Sequence, residues 1–250
     1  MSNFDKKDTW CPTPRYLCRK SIVLDFLDEI GKGTFIDIGA GSGDLVADLA
    51  KKGYKGRGID FSDEAIKIAQ KKLNGINDDV KVRKMDLFNV DKIFNIAIML
   101  EVIEHIKEEK KALKKVYDIL SEDGHLIISA PAHKKDWSVE SDEWAGHYRR
   151  YEKNELRSKL ENTGFKVLKL YNYGFPIANI AKPIRNYLMK KDYLSQKYEK
   201  MSTKRSGTDR NSQKKFTFLI NSVTMAPFLF LQKFFFHKDF GDGYIVLVKK

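Results

Sequence analysis

From residue 33 onward, short apolar runs alternate with stretches whose apolar residues recur every three or four positions. Residues 35–38 form an apolar strand that enters a glycine turn. Residues 44–52 follow with helical spacing, 56–59 is a second strand and 62–73 a second helix. Ser62 suits the start of that helix: its hydroxyl can accept from free N–H groups, and Asp63 and Glu64 complement the positive helix end. Residues 80–83, 93–100 and 125–130 read as further strands, with a helix at 107–120 and Pro131 ending the last strand. Strand and helix in this alternation predict a parallel sheet covered on both faces. A helix at 16–30 precedes it.

The alternation then breaks. Residues 152–161 read as a helix, with Gly164 where a C-terminal glycine belongs. Residues 165–171 are a strand, and the next one is 244–248. Two late strands without a helical crossover predict an antiparallel pair at the sheet edge. The expected organisation is a lid and helix at 1–30, a core at 31–173, an insertion at 174–240 and the last core strand at 241–250.

Charge sharpens this division. The net charge of +12 is concentrated in residues 174–240, which hold 13 basic and 4 acidic side chains, against 31 and 29 in residues 1–173. A local basic field favours phosphate, anionic lipid or nucleic acid, or is simply a solvated surface. Within the insertion, 202–215 is polar and basic and 216–236 is apolar. The apolar stretch approaches the length of a membrane span, but Asn221, Ser222, Pro227, Gln232 and Lys233 interrupt it. It reads as a cap helix over the active site or as an interfacial element resting on lipid. Cys11 and Cys18 are too few for a disulfide framework, and the first ten residues lack the apolar region of a secretory signal. A cytoplasmic location, at most membrane-peripheral, is expected.

Three strand ends carry candidate binding chemistry. Asp37-Ile-Gly39-Ala-Gly41-Ser-Gly43 lies between the first strand and its helix, where glycines permit a tight turn and close ligand approach. Without the Lys-Ser/Thr of a phosphate-binding loop, an ATPase reading is poor. The second strand ends in Gly58-Ile-Asp60-Phe61, whose carboxylate can accept from both ribose hydroxyls. After the third strand, Lys84-Met-Asp86-Leu87-Phe88 offers an acceptor for an adenine amino group. Acidic groups at successive strand ends behind a glycine turn point to a nucleoside ligand. A nicotinamide dehydrogenase shares two of these features, but gives no role to Asp86 or to the later Leu100-Glu-Val-Ile-Glu-His105.

The strings FIDIGAGSGDL, GIDFSDEAI, KMDLF, IAIMLEVIEHI and LSEDGHLIISAP, in that order and at family spacing, resemble the signatures of class I S-adenosylmethionine (AdoMet)-dependent methyltransferases over residues 30–173 and 243–250. The resemblance implies a doubly wound, Rossmann-like α/β fold: a seven-stranded, mostly parallel sheet with an antiparallel last strand, here with a helical insertion between the last two strands. It implies AdoMet as cofactor. Gly39, Gly41 and Gly43 would line its methionine and ribose, with Asp37 anchoring the loop. Asp60 would hold the ribose with Phe61 beside the adenine, Asp86 and Leu87 would read the adenine edge, and Leu100 and Glu101 would border the methyl group.

Methyl transfer from a sulfonium needs alignment and often a base. His105 and His147 are the candidates, since an imidazole titrates near neutral pH; His105 could equally pack at a helix start. Glu101, Glu104 and His105 are also similar to a magnesium-binding set in ubiquinone-pathway O-methyltransferases, although the same string occurs widely without metal, and no metal is expected. His147-Tyr-Arg-Arg-Tyr151 resembles a stretch facing the acceptor in small-molecule methyltransferases. There Arg149 and Arg150 could clamp an anion or pair with Glu140, Asp142 or Glu143. Trp10, Arg15, Tyr16 and Arg19 are candidate acceptor contacts ahead of the first strand.

The expected reaction is methylation, by preference on oxygen, of a small or carrier-linked acceptor such as an anionic lipid- or glycan-linked molecule. The strand 4 signature lacks the Asn/Asp-Pro-Pro-Tyr/Phe pattern used on nucleobase amino groups, and a nucleic-acid partner is not expected. The alternatives are an RNA methyltransferase that uses 182–215 as a backbone clamp and a non-catalytic AdoMet-binding module.

Overall fold

A computed structural model describes residues 12–183, 187 and 222–250. Helix α1 (Pro14–Ile30) starts two residues earlier than periodicity predicts. The Thr13 hydroxyl accepts from the Tyr16 N–H, and Pro14 occupies the first turn, where a missing N–H costs nothing. Then follow β1 (Thr34–Ile38), α2 (Asp44–Lys51), β2 (Lys55–Asp60), α3 (Asp63–Leu73), β3 (Val80–Lys84), β4 (Phe94–Leu100) and α4 (Glu109–Asp118). The chain continues as β5 (Leu120–Pro131), α5 (Lys153–Thr163), β6 (Lys166–Tyr173), a helical stretch at 177–183, α6 (Ser222–Gln232) and β7 (Gly243–Lys249).

The strands form one sheet in the order β3-β2-β1-β4-β5-β7-β6. Pairs among β1–β5 are parallel, and β7 runs antiparallel between β5 and β6. This is the expected fold class. The insertion leaves the sheet at Tyr173 and returns at Gly243, which are register partners. Of that insertion, 184–186 and 188–221 lie outside the described residues, including the basic 202–215 stretch. Trp10 also lies outside them.

Two further boundaries differ from expectation for identifiable reasons. Leu120, expected to end a helix, instead pairs with Phe94 and opens β5. The strand then turns sharply through Asp123, at φ 61°, before His125 resumes the register. Helix α5 starts at Lys153 because Glu152 and Glu155 form a reciprocal capping box.

Alternate residues of each strand serve opposite faces. Ile36, Ala97, Met99, Leu126, Ile128, Val246 and Val248 pack under α4 and α5. Phe35, Ile96, Ile98, Ile127, Ile245 and Leu247 pack under α1, α2 and α3. A sheet buried on both faces requires apolar residues at every position, which is why these strands read as continuous apolar runs.

Charge fastens α1 across the strand ends. Arg15 Nη1 lies 2.5 Å from Glu101 Oε2, and Arg15 Nε donates to Asp242 Oδ1 at 3.0 Å. Arg19 Nη1 lies 3.4 Å from Glu101 Oε1. Ser129 Oγ and Tyr173 OH both donate to that oxygen, at 2.9 and 3.0 Å. Helix α1, β4, β5, β6 and the entry to β7 therefore meet at one carboxylate. Glu101 itself adopts φ 56°, a left-handed conformation rare for a side-chain-bearing residue. Burial opposes its ionisation, but the charges of Arg15 and Arg19 prevail and hold the carboxyl at about 2.

Glu101→Gln leaves two partly buried guanidinium groups facing a neutral amide and should cost about 1–3 kcal/mol at pH 7, read by urea unfolding. The folded pKa of about 2 lies below the ordinary 4.5. The stability from this carboxylate is therefore present above pH 4.5 and is lost as pH falls toward 2. The gap between wild type and variant should narrow over that window; a constant gap would contradict the assignment.

Candidate active site

The glycine turn sits at the carboxyl ends of β1 and β4, the switch point where strand order reverses and ligands bind in open α/β sheets. Gly39, Gly41 and Gly43 have φ of 72°, 52° and 68°. A Cβ on Gly39 would lie 2.4 Å from Val102 Cγ2, and one on Gly43 would lie 2.6 Å from Ala69 Cβ. These two glycines let the turn lie flat against the segment after β4 and against α3. A Cβ on Gly41 would meet nothing within 4 Å. That glycine borders open space, where a ligand can touch backbone.

The turn's amides are largely used within the protein. Gly39 and Ala40 donate to Ile59 O, and Gly43 donates to Ala40 O. Gly41 N–H donates to Asp60 Oδ2 at 2.8 Å, and Ser62 N–H to Asp60 Oδ1 at 2.9 Å. Asp60 thus shapes the turn it was expected to serve alongside, and each of its oxygens keeps a further lone pair for a ribose hydroxyl. Asp37 is buried beneath the turn; burial and the charge of Asp60 push its carboxyl up to about 8, against the pull of Arg19.

Phe61 is exposed at the end of β2. Asp86 is exposed and caps the short turn after β3 by accepting from Phe88 N–H at 2.8 Å, while Leu87 is buried. Leu100 is partly buried at the end of β4. The structure brings Asp37, the glycine turn, Asp60, Leu100 and Glu101 to one edge of the sheet, with Asp86 on the loop beyond β3.

A second group lies beyond β4 and β5. His147 Nδ1 is 2.8 Å from Asp142 Oδ1, and Arg150 binds the same carboxylate through Nε and Nη2, both at 2.9 Å. Asp142 is fully buried and accepts also from Ser138 N–H and Ser141 Oγ. Although burial opposes its charge, the bonds from His147 and Arg150 hold it well below the usual carboxylate range. An ionised Asp142 selects the His147 tautomer with the proton on Nδ1, leaving Nε2 as acceptor. The His105 and His147 rings meet edge to face at 4.7 Å. Burial, then the neighbouring His147, depresses His105 to about 4, and its Nδ1 lies 3.3 Å from Gly146 O.

Glu104 is fully buried, and among the described residues neither carboxylate oxygen has a hydrogen-bond partner. Burial and then the charge of Glu101 raise its pKa well above the ordinary value. Glu104, His105 and His147 offer ligand atoms within 4.8 Å of one another. One carboxylate and two imidazoles form a donor set that could hold a divalent transition ion. Glu101, the third member of the magnesium-like string, faces Arg15 and Arg19 instead.

The remaining candidates have structural partners. Tyr16 OH donates to Asp44 Oδ2 at 2.6 Å, beside Lys20 at 2.7 Å, and so ties α1 to the start of α2. Arg149 donates to Lys107 O and pairs with Glu109 at 3.1 Å. Of the three acidic residues considered for the two arginines, Asp142 takes Arg150, whereas Arg149 pairs with Glu109, which was not among them. Sequence reasoning did not assign roles to Ser129, Tyr173 and Asp242, which carry no motif and matter only through the geometry around Glu101.

Residues 13–170 match the model of a family described as a methyltransferase domain. The chain is 27% identical over 114 residues to the ubiquinone biosynthesis O-methyltransferase of Nitrosomonas europaea, a match covering 42% of this chain and 48% of that protein. It thus spans about half the length of that relative. The crystal structure of the [4+2]-cyclase SpnF is similar with a TM-score of 0.63 at 14% identity, covering 94% of this chain and 80% of that one. Magnesium protoporphyrin IX methyltransferase from Synechocystis PCC 6803, solved with bound SAH, gives a TM-score of 0.54 at 19% identity, over 70% of this chain and 83% of that one. These structural likenesses are of fold; the family model covers well over half of the chain, and the protein belongs to the methyltransferase-domain family, within the class I AdoMet-dependent methyltransferases.

Proposed function

We propose that this protein transfers the methyl group of AdoMet to an oxygen of a small or carrier-linked acceptor, with His147 as the base. The observation that carries this reading is the Asp142–His147 pair at 2.8 Å. Asp142, kept ionised by Arg150, presents His147 Nε2 as a proton acceptor. The acceptor hydroxyl gives its proton to Nε2, its oxygen forms a bond to the methyl carbon, and the carbon–sulfur bond breaks to leave neutral S-adenosylhomocysteine. His105, depressed to about 4, is a weak base and serves as a neutral wall beside His147. Glu101, already neutralised by Arg15 and Arg19, borders the methyl group without offering it a free negative charge. Similarity to an O-methyltransferase of ubiquinone biosynthesis supports oxygen as the accepting atom.

The test of acceptor class is transfer of labelled methyl from AdoMet into lipid, glycan, small-molecule and RNA fractions. Label is expected in one of the first three; label in RNA alone would favour the backbone-clamp reading. With the labelled fraction as substrate, His147→Gln should lower kcat by about 10²–10⁴-fold with little change in AdoMet affinity. An unchanged kcat would remove the base.

Two binding predictions follow from the cofactor reading. Asp60→Ala removes charge-assisted acceptors from the ribose and should weaken AdoMet binding by roughly 10–100-fold in calorimetry. Asp37, raised to about 8, is mostly protonated at pH 7. An ammonium group bound nearby favours its ionised form, so AdoMet binding should release a proton at pH 7 and tighten as pH rises toward 8. Calorimetry in two buffers of different ionisation enthalpy reads this, and Asp37→Asn should abolish the release.

A further inference from the structure

Helix α6 and the turn after it, Lys233–Phe235, are apolar on two sides. One side is packed. Met225, Gln232 and Phe236 are buried, and Phe228 and Leu229 lean on the same cluster as α1. The Gln232 amide donates to Cys18 O and Ser21 Oγ, both at 3.1 Å, and Phe236 stacks on Tyr171 with ring centroids 4.6 Å apart. These contacts fix which way the helix faces.

The other side is an apolar stripe turned outward. Ala226, Pro227, Phe230, Leu231 and Phe234 recur at helical spacing and are all exposed. Phe230 and Phe234 are 65% and 68% exposed and meet edge to face, with ring centroids at 5.4 Å. The surface continues beyond the turn. The Phe175 ring contacts both Phe235 and Phe240, Phe240 is 53% exposed, and Asn179 donates to Phe240 O beside exposed Ile180. One exposed phenylalanine is ordinary, whereas a contiguous aromatic stripe marks a contact surface. Beside it Lys233 and Lys238 are exposed, Lys233 reaching Asp25 at 2.8 Å, and in sequence residues 174–240 hold 13 basic against 4 acidic side chains.

We propose that α6 lies in the headgroup layer of an anionic lipid bilayer, with Phe230, Leu231 and Phe234 entering the acyl boundary. Aromatic and aliphatic residues on one face of a helix, with cations around them, are the composition of an interfacial helix. The geometry is one of resting on the membrane: among the described residues, no helix is long and apolar enough to cross it. The positive charge of the segment selects an anionic surface over a second copy of this basic chain, which it would repel. The inference holds whatever acceptor is methylated.

The test uses the full chain with extruded vesicles of phosphatidylcholine alone, or with about 30 mol % phosphatidylglycerol. Co-sedimentation is read for wild type and for Phe230→Ser/Phe234→Ser, whose AdoMet affinity and melting temperature check that it folds. Wild type should bind the anionic vesicles at least about tenfold more strongly than the neutral ones, less so in high salt, and the double variant should lose at least about tenfold. Three results would overturn the proposal: no binding of wild type, equal binding to both vesicles, or unchanged binding of the double variant. Sedimentation without lipid adds a fourth: a dimer that the double variant dissociates would assign the stripe to a second copy.

Discussion

A partly buried carboxylate with two guanidinium groups governs the arrangement of this protein. Glu101 stands at the end of β4, and an ionised group in that position is tolerable only because Arg15 and Arg19 reach it from α1. The same carboxylate draws in Ser129 from β5 and Tyr173 from β6, while Arg15 also grips Asp242 before β7. A helix far away in sequence is therefore bound to the sheet by electrostatics directly beside the site, as well as by its apolar face. Any movement of α1 must also move the charges around Glu101.

The two halves of the site are held by different physics. The glycine turn is backbone geometry: left-handed conformations, with Gly39 and Gly43 pressed against Val102 and Ala69 and Asp60 bracing the turn. The group beyond β4 and β5 is a side-chain network, in which the Asp142–Arg150 pair is buried and His147 hangs from it. The first is rigid by covalent geometry and close packing. The second depends on charge balance, and a single neutralised member would reorient the imidazole.

How far the sequence could be read follows from the same distinction. Local rules found the alternation of strands and helices, Ser62 as a cap and the glycine turn, because each depends on neighbours in the chain. Pro14 and Thr13 extended α1 through capping that apolar periodicity does not register. Leu120 passed as helical because its apolar side chain suits either element, and only its pairing with Phe94 decides. The acidic residues at strand ends were legible as a set, but not what they do for the fold: Asp60 binds the turn itself, and Glu101 is committed to α1. Asp142 stood among three acidic candidates for the arginines, and burial chose it. Tyr173 and Asp242, distant in sequence and without motif, were invisible until the topology brought them together.

The pairing of Tyr173 with Gly243 means that the stretch between β6 and β7 leaves and rejoins the sheet rim at two adjacent points. Closing a long loop costs only slowly more as it lengthens. A segment whose two ends already touch can vary in length while α6 keeps its packing on α1 and the register of β7 between β5 and β6 stays unchanged. Evolution can therefore retune the outward face of this region, residue by residue, without disturbing the glycine turn at the sheet's switch point.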